Sequence, residues 1–128
     1  MSGAPCLSVV IPTRDRRRLL EQTLAALDRQ RELSEPFEVI VVDDGSSDGT
    51  GDWLQLAQFG GFTLQQVTTR AGGPARARNL GIRRAAAPRV LLLGDDTVPS
   101  RELLAAHLRA AAGRDIAVQG RIDWDPSR

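Results

Sequence analysis

The feature that most constrains this chain is the stretch from Glu38 to Thr50. An unbroken apolar run, Val39-Ile40-Val41-Val42, ends in two adjacent carboxylates, Asp43-Asp44, and then in a turn rich in Gly and Ser. The run does not alternate, so it reads as a strand covered on both faces. Two aspartates at its carboxyl end do not belong in a core, because unpaired buried charge is costly. They should open into a crevice. In an open α/β sheet, ligands bind in the crevice beyond the carboxyl ends of the strands.

The rest of the chain supplies the partners such a strand needs. Cys6 to Ile11 reads as a first strand stopped by Pro12, with Asp15 as N-cap of a helix from Arg16 to about Arg31. Leu20, Leu24 and Leu27 form its apolar stripe. Phe37 to Val42 is the second strand. Asp48-Gly49-Thr50 starts a second helix carrying Trp53, Leu54 and Ala57, and Phe62 to Val67 is a weaker third strand. Pro74 suits the first turn of a helix running to about Ala87. Arg89 to Leu93 reads as a buried fourth strand ending in Gly94-Asp95-Asp96. A helix starting at Pro99-Ser100 carries Leu103, Leu104 and Leu108, and Ile116 to Gln119 reads as a fifth strand. Strands and helices alternate with short connections, the pattern of a mostly parallel α/β sheet with helices on both faces and right-handed crossovers. The expectation is one domain over residues 1–128.

Composition removes several functions. The net charge is +1, which gives no general argument for nucleic acid or for a membrane surface. All basic residues are arginine, so no phosphate-loop lysine and no Schiff-base lysine is present. The absence of Tyr argues against a base-stacking surface. One cysteine, Cys6, excludes an internal disulfide and a cysteine metal cage. No apolar run is long enough to cross a bilayer and no signal-peptide pattern begins the chain, so the expected location is the cytoplasm.

Two strands end in acidic pairs, Asp43-Asp44 and Asp95-Asp96. If the first strand lies beside or between them, Thr13, Asp44 and Asp96 face a common pocket. Carboxylates gathered there can do acid–base work or hold a hard divalent cation such as Mg²⁺ or Mn²⁺ together with substrate phosphates.

Four segments then resemble one family. Ser8-Val9-Val10-Ile11-Pro12-Thr13, Val41-Val42-Asp43-Asp44-Gly45-Ser46-Ser47-Asp48-Gly49-Thr50, Ala77-Arg78-Asn79-Leu80-Gly81 and Gly94-Asp95-Asp96-Thr97-Val98-Pro99 look like glycosyltransferase family 2, in its order and spacing. The resemblance implies a GT-A fold and metal-assisted, inverting transfer of a sugar from a nucleotide-diphosphate donor, a UDP-sugar first, to an unidentified acceptor. By similarity Pro12, Thr13 and Asp15 line the nucleotide pocket, and Asp44 hydrogen-bonds the base. Arg78 and Asn79 lie over the nucleotide, with Arg76 less secure. Asp95 reaches the ribose or the metal, and Asp96 binds the cation, Mn²⁺ or Mg²⁺.

This sequence departs from the family in three places. Gly94 stands where the metal motif often begins with Asp, and Arg14-Asp15 replace a frequent Tyr-Asn. No segment matches the acceptor half, where inverting members place their catalytic base, and nothing identifies Asp123 or Asp125 as that base. The expectation is a donor-binding half of a longer enzyme, inactive or weakly active alone, with any membrane association left to regions outside this chain. The competing readings are a nucleotide-binding module without catalysis and a sugar-phosphate nucleotidyltransferase. The latter lacks its Gly-rich signature after the first strand. A phosphoacceptor receiver domain is excluded by the missing lysine. Simpler roles suit the other conspicuous residues: a solvated helix start for Arg14, Arg16, Arg17 and Arg18, and packing for Trp53. His107 reads as a structural or half-exposed side chain. Gly72-Gly73 lacks the spacing of a dinucleotide fingerprint.

Overall fold

The computed structural model describes residues 3–124. Among them, β1 (Ser8–Thr13), β2 (Glu38–Asp44), β3 (Thr63–Thr69) and β4 (Val90–Leu92) form one parallel sheet in the order β3-β2-β1-β4. Helices α1 (Arg17–Leu27), α2 (Thr50–Leu56), α3 (Pro74–Arg84) and α4 (Leu103–Ala111) alternate with the strands.

Residues of opposite parity on β1 and β2 enter two different cores. Val9, Ile11, Val39 and Val41 pack with Leu20, Leu24 and Leu27 of α1, Leu54 of α2 and Leu104 of α4. Val10, Ile40 and Val42 pack with Val67 and with Ala77 of α3 on the other face. Covering both faces is what an unalternating apolar run requires. All seven of these β1 and β2 residues are 0% exposed, so the double cover is complete at the centre of the sheet.

Three expectations are corrected. Pro12 does not stop β1; it pairs in register with Val42. Ser8 N–H donates to Arg89 on the β4 side and Leu7 accepts from Glu38 on the β2 side, so even-numbered residues turn their amides toward β4. The amide that Pro12 lacks would point past the end of β4, where no ladder partner exists. The fourth strand is not buried on both faces: Val90 and Leu92 are 38% and 49% exposed. They lie on the α3 face, but α3 packs over β1 and β2 and leaves the β4 edge uncovered. Finally, Ile116 to Gln119 forms no strand, and Ile116 is exposed. The sheet ends at β4, and this segment does not pair with that edge.

The topology matters most for function. The chain steps outward from β1 to β2 to β3, then α3 carries it back to β4 on the far side of β1. The reversal of strand order falls between β1 and β4. That is the switch point where an open α/β sheet leaves a crevice.

Candidate functional site

The carboxyl ends of β2, β1 and β4 stand side by side, so the sheet brings Asp44, Thr13 and Asp95 to one rim. A cavity of about 480 Å³ opens there. Pro12, Thr13, Asp44 and Asp95 line it from the strand ends, and Gly73, Pro74 and Arg78 line it from the start of α3. Arg14 and Arg16 face it from the loop after β1, and Leu92 and Leu93 supply an apolar wall. Cations, carboxylates and apolar surface together suit a ligand with an anionic part and a flat, hydrogen-bonding part.

The two aspartates of β2 hold different loops. Asp43 Oδ1 accepts the Ser46 amide at 3.0 Å and so closes the turn after its own strand. Asp44 instead reaches across to the loop before α3. Its Oδ1 accepts the Gly72 amide at 3.0 Å and its Oδ2 accepts the Gly73 amide at 2.9 Å. Gly73 adopts φ of 95°, a conformation that a side chain would strain, and this aims its amide at the carboxylate. Asp44 therefore sets the cavity wall from which Arg78 projects.

The second half of the Asp-Gly-Ser-Ser-Asp-Gly-Thr turn is scaffolding. Asp15 N–H donates to Ser46 Oγ at 2.9 Å, and Ser47 N–H donates to Asp15 Oδ1 at 2.6 Å. Asp15 has φ of 52°, so it is not the N-cap expected from sequence. The free amide of Arg17 in the first turn of α1 is taken by Asp48 Oδ2 at 3.1 Å, from the neighbouring loop. Asp48 Oδ1 also accepts the Thr50 amide at the start of α2. The Thr50 hydroxyl bond to Asp48, followed by those backbone amides, pulls the Asp48 carboxyl below its ordinary value.

The acidic end of β4 is tied to β1 and α1. Thr13 Oγ1 donates to Asp95 Oδ2 at 2.9 Å, and both residues are buried. The Thr23 hydroxyl, in the middle of α1, lies 3.0 Å from the Asp95 carbonyl and 2.7 Å from that of Thr97. It anchors the backbone that presents both aspartates. Arg16 Nη1 stands 3.3 Å from Asp95 Oδ1 and 3.5 Å from Asp96 Oδ2. Burial pushes the Asp95 carboxyl up. The Thr13 hydrogen bond and the Arg16 charge oppose the rise, and the Asp96 charge adds to it.

Of the residues singled out from sequence, Pro12, Thr13, Asp44, Arg78 and Asp95 meet at the cavity. Asp15 is engaged with the β2–α2 turn, Asn79 is exposed on α3, and neither lines the cavity. Asp96, expected to face the pocket, does not line it; the next residue back, Asp95, does, and Arg16 links the two carboxylates. Arg16 and Thr23 are the site residues that sequence reading missed. A signal for Arg16 was available, since a cation at a helix N-terminus opposes the macrodipole unless another anion holds it. Thr23 gave none, because a Thr in an amphipathic stripe looks like filler.

Metal fit can be judged from the donor set. Asp95 and Asp96 offer hard carboxylate oxygens of the kind Mg²⁺ and Mn²⁺ accept. Gly94 adds no third, and among the described residues no group of three or more His, Cys, Asp or Glu side chains is placed to hold a metal ion. The pair thus fits a cation that completes its shell with ligand phosphate and water.

A model of the family described as glycosyl transferase family 2 matches residues 8–127, and the chain belongs to that family. It is 40% identical over 114 residues to validoxylamine A glucosyltransferase of Streptomyces hygroscopicus subsp. jinggangensis (strain 5008), which covers 88% of this chain and 27% of that protein. Among solved structures, S. aureus TarS 1-349 in complex with UDP matches with a TM-score of 0.71 at 26% identity, covering 88% of this chain and 38% of the other. The mannosyltransferase PcManGT from Pyrobaculum calidifontis, in complex with GDP-Man and Mn²⁺, matches with a TM-score of 0.72 at 28% identity, covering 87% and 33%. The sheet and its helices are of the GT-A type. The chain spans 27% of the length of the glucosyltransferase it matches.

Proposed function

We propose that this chain is the donor-binding half of a metal-assisted, inverting glycosyltransferase that uses a nucleotide-diphosphate sugar, with a UDP-sugar as the preferred donor. The observation that carries the reading is the cavity at the β1/β4 switch point, lined by Thr13 of β1, Asp44 of β2, Arg78 of α3 and Asp95 from the loop after β4. The UDP and the GDP-Man with Mn²⁺ held by the two structural relatives support it.

In this reading Asp44 receives the base. Each of its oxygens accepts a loop amide, and a carboxylate has about four acceptor positions, so capacity remains for the imide N–H of uracil. Pro12, Pro74 and the leucines exclude water from the base and ribose. Arg14, Arg16 and Arg78 match the diphosphate charge with planar, always-protonated groups. Asp95 and Asp96 hold the cation, which when bound offsets charge developing on the nucleoside diphosphate leaving group. The acceptor and the carboxylate that deprotonates it lie outside this half. Asp123 is exposed and ion-paired with Arg121, and Asp125 lies outside the described residues.

Calorimetric titration with UDP, GDP and dTDP, with and without Mn²⁺, tests the reading. UDP should bind best, and Asp44→Asn should weaken it by about tenfold or more, as expected for a lost charged hydrogen bond. Asp96→Ala should remove the Mn²⁺-dependent part of binding. If no nucleotide binds under any condition, the donor-site reading is wrong. Gly94 favours one second reading, a nucleotide-binding module without catalysis, because it leaves the acidic motif one carboxylate short. Nucleotide binding that ignores Mn²⁺ would favour that module.

A further inference from the structure

The basic residue at the head of α1 is not a solvated helix start. One nitrogen of Arg16 stands between two carboxylates of consecutive residues, 3.3 Å from Asp95 and 3.5 Å from Asp96. These are the same carboxylates that a divalent cation would need. Building on the donor-site reading above, we propose that Arg16 is an internal counter-cation that blocks the metal position in the empty protein. It moves onto the diphosphate when the nucleotide enters, and this frees the acidic pair for the metal.

Three observations favour movement of Arg16 over movement of Asp95. Asp95 is pinned by the buried Thr13 hydroxyl, and its backbone is held by Thr23, so this carboxylate cannot withdraw from its neighbour. The Arg16 side chain is 53% exposed and makes no capping bond; only its carbonyl is tied into α1, where it accepts the Leu20 amide. The guanidinium also borders the cavity itself, beside Arg14 and Arg78, so phosphate oxygens arriving there would offer it new partners.

Charge balance makes the two occupants exclusive. With Gly94 contributing no carboxylate, Asp95 and Asp96 share the Arg16 guanidinium, whose charge offsets part of theirs. A divalent ion added beside Arg16 would meet a like charge a few ångströms away. A diphosphate resolves the conflict by accepting the guanidinium and contributing ligands to the metal. Binding of nucleotide and metal is therefore coupled through Arg16, and the coupling must be reciprocal. Because the ion pair is half exposed, the block is shallow and reversible.

The test measures Mn²⁺ binding to the nucleotide-free chain, through loss of the free-ion paramagnetic resonance signal. It compares wild type, Arg16→Gln and Arg16→Lys. Arg16→Gln should bind Mn²⁺ about three- to tenfold more tightly than wild type, the range set by a partly exposed ion pair. Arg16→Lys keeps the charge and should stay close to wild type. UDP binding without metal should weaken several-fold in Arg16→Gln. A gain in metal affinity cannot arise from a purely structural role, since damage to the fold would lower it. If Arg16→Gln binds Mn²⁺ no better than wild type, or not measurably, the proposal is overturned. UDP binding to wild type is a separate readout: its failure removes the donor-site reading, whereas UDP binding with unchanged Mn²⁺ affinity removes only the role given to Arg16.

Discussion

Asp43, Asp44 and Asp48 share one chemistry within a few residues, yet each holds a different part of the rim. Asp43 closes its own turn, Asp44 carries the loop before α3, and Asp48 caps α1 while starting α2. Asp48 gives the clearest prediction for a single residue. Asp48→Ala leaves the first turns of two helices without an acceptor and should cost about 1 kcal/mol, the usual value of a helix cap. Its carboxyl is held below the ordinary value, mainly by the Thr50 hydroxyl. Ionised Asp48 therefore stabilises the fold above the ordinary carboxylate pKa, and the contribution is lost as pH falls through the depressed value. Urea denaturation across the acid range should show the gap between wild type and Asp48→Ala closing as pH falls. A gap independent of pH would assign the loss to something other than the ionised carboxylate.

At the scale of elements, the critical contact is α3 against the central strands. A Cβ on Gly81 would collide with Val10 Cγ1 and lie 3.2 Å from Val42 Cγ2. Alanine would gain about 1 kcal/mol of helix propensity. Against that, Val10 is fully buried and stiff at χ1, so the clash has to be met by moving the helix. Overpacking of this kind costs about 1–3 kcal/mol, and it should win. Gly81→Ala should therefore destabilise the chain in chemical denaturation, although the same change stabilises an ordinary helix. Val10→Ala makes room, so Gly81→Ala in that background should be neutral or favourable. Additive losses in the double variant would show that the two side chains do not collide. The same helix bears Arg78 on its first turns, so its distance from the sheet also sets the width of the cavity.

For the whole molecule, the cavity joins parts that are far apart in sequence. Its walls come from β1, β2, the end of β4 and the start of α3, so a ligand seated there bridges the sheet across its switch point. Global unfolding must then release the ligand. UDP with Mn²⁺ at about a hundred times its dissociation constant should stabilise the chain by about 2.7 kcal/mol, and Tm should climb with the logarithm of nucleotide concentration. Differential scanning measurements read this directly. A Tm indifferent to nucleotide would mean that the cavity is not the binding site.

What the sequence determined by itself was local and periodic. Val39 to Val42 reads as a doubly covered strand and is one; Asp43 and Asp44 end it, but both are buried and only Asp44 lines the cavity, so the expectation that both open into a crevice holds for one of them. The motif segments at Pro12-Thr13, Asp44, Arg78 and Asp95 resemble one family, and the family match bore out that membership; the donor-site role of these residues is the proposal made above. Hydrophobic period and motif order survive in one dimension. What the tertiary structure decided was every pairing between segments distant in the chain. Strand order put β1 between the two acidic ends, turned Asp15 and Asp48 toward each other's loops, and withheld a partner from Ile116 to Gln119. It also brought Arg16 to Asp95 and Asp96, across 79 residues in the closer pair. Such contacts depend on where the strands end in space. No spacing along the chain encodes that, because a guanidinium finds its carboxylates only after the sheet has set the rim.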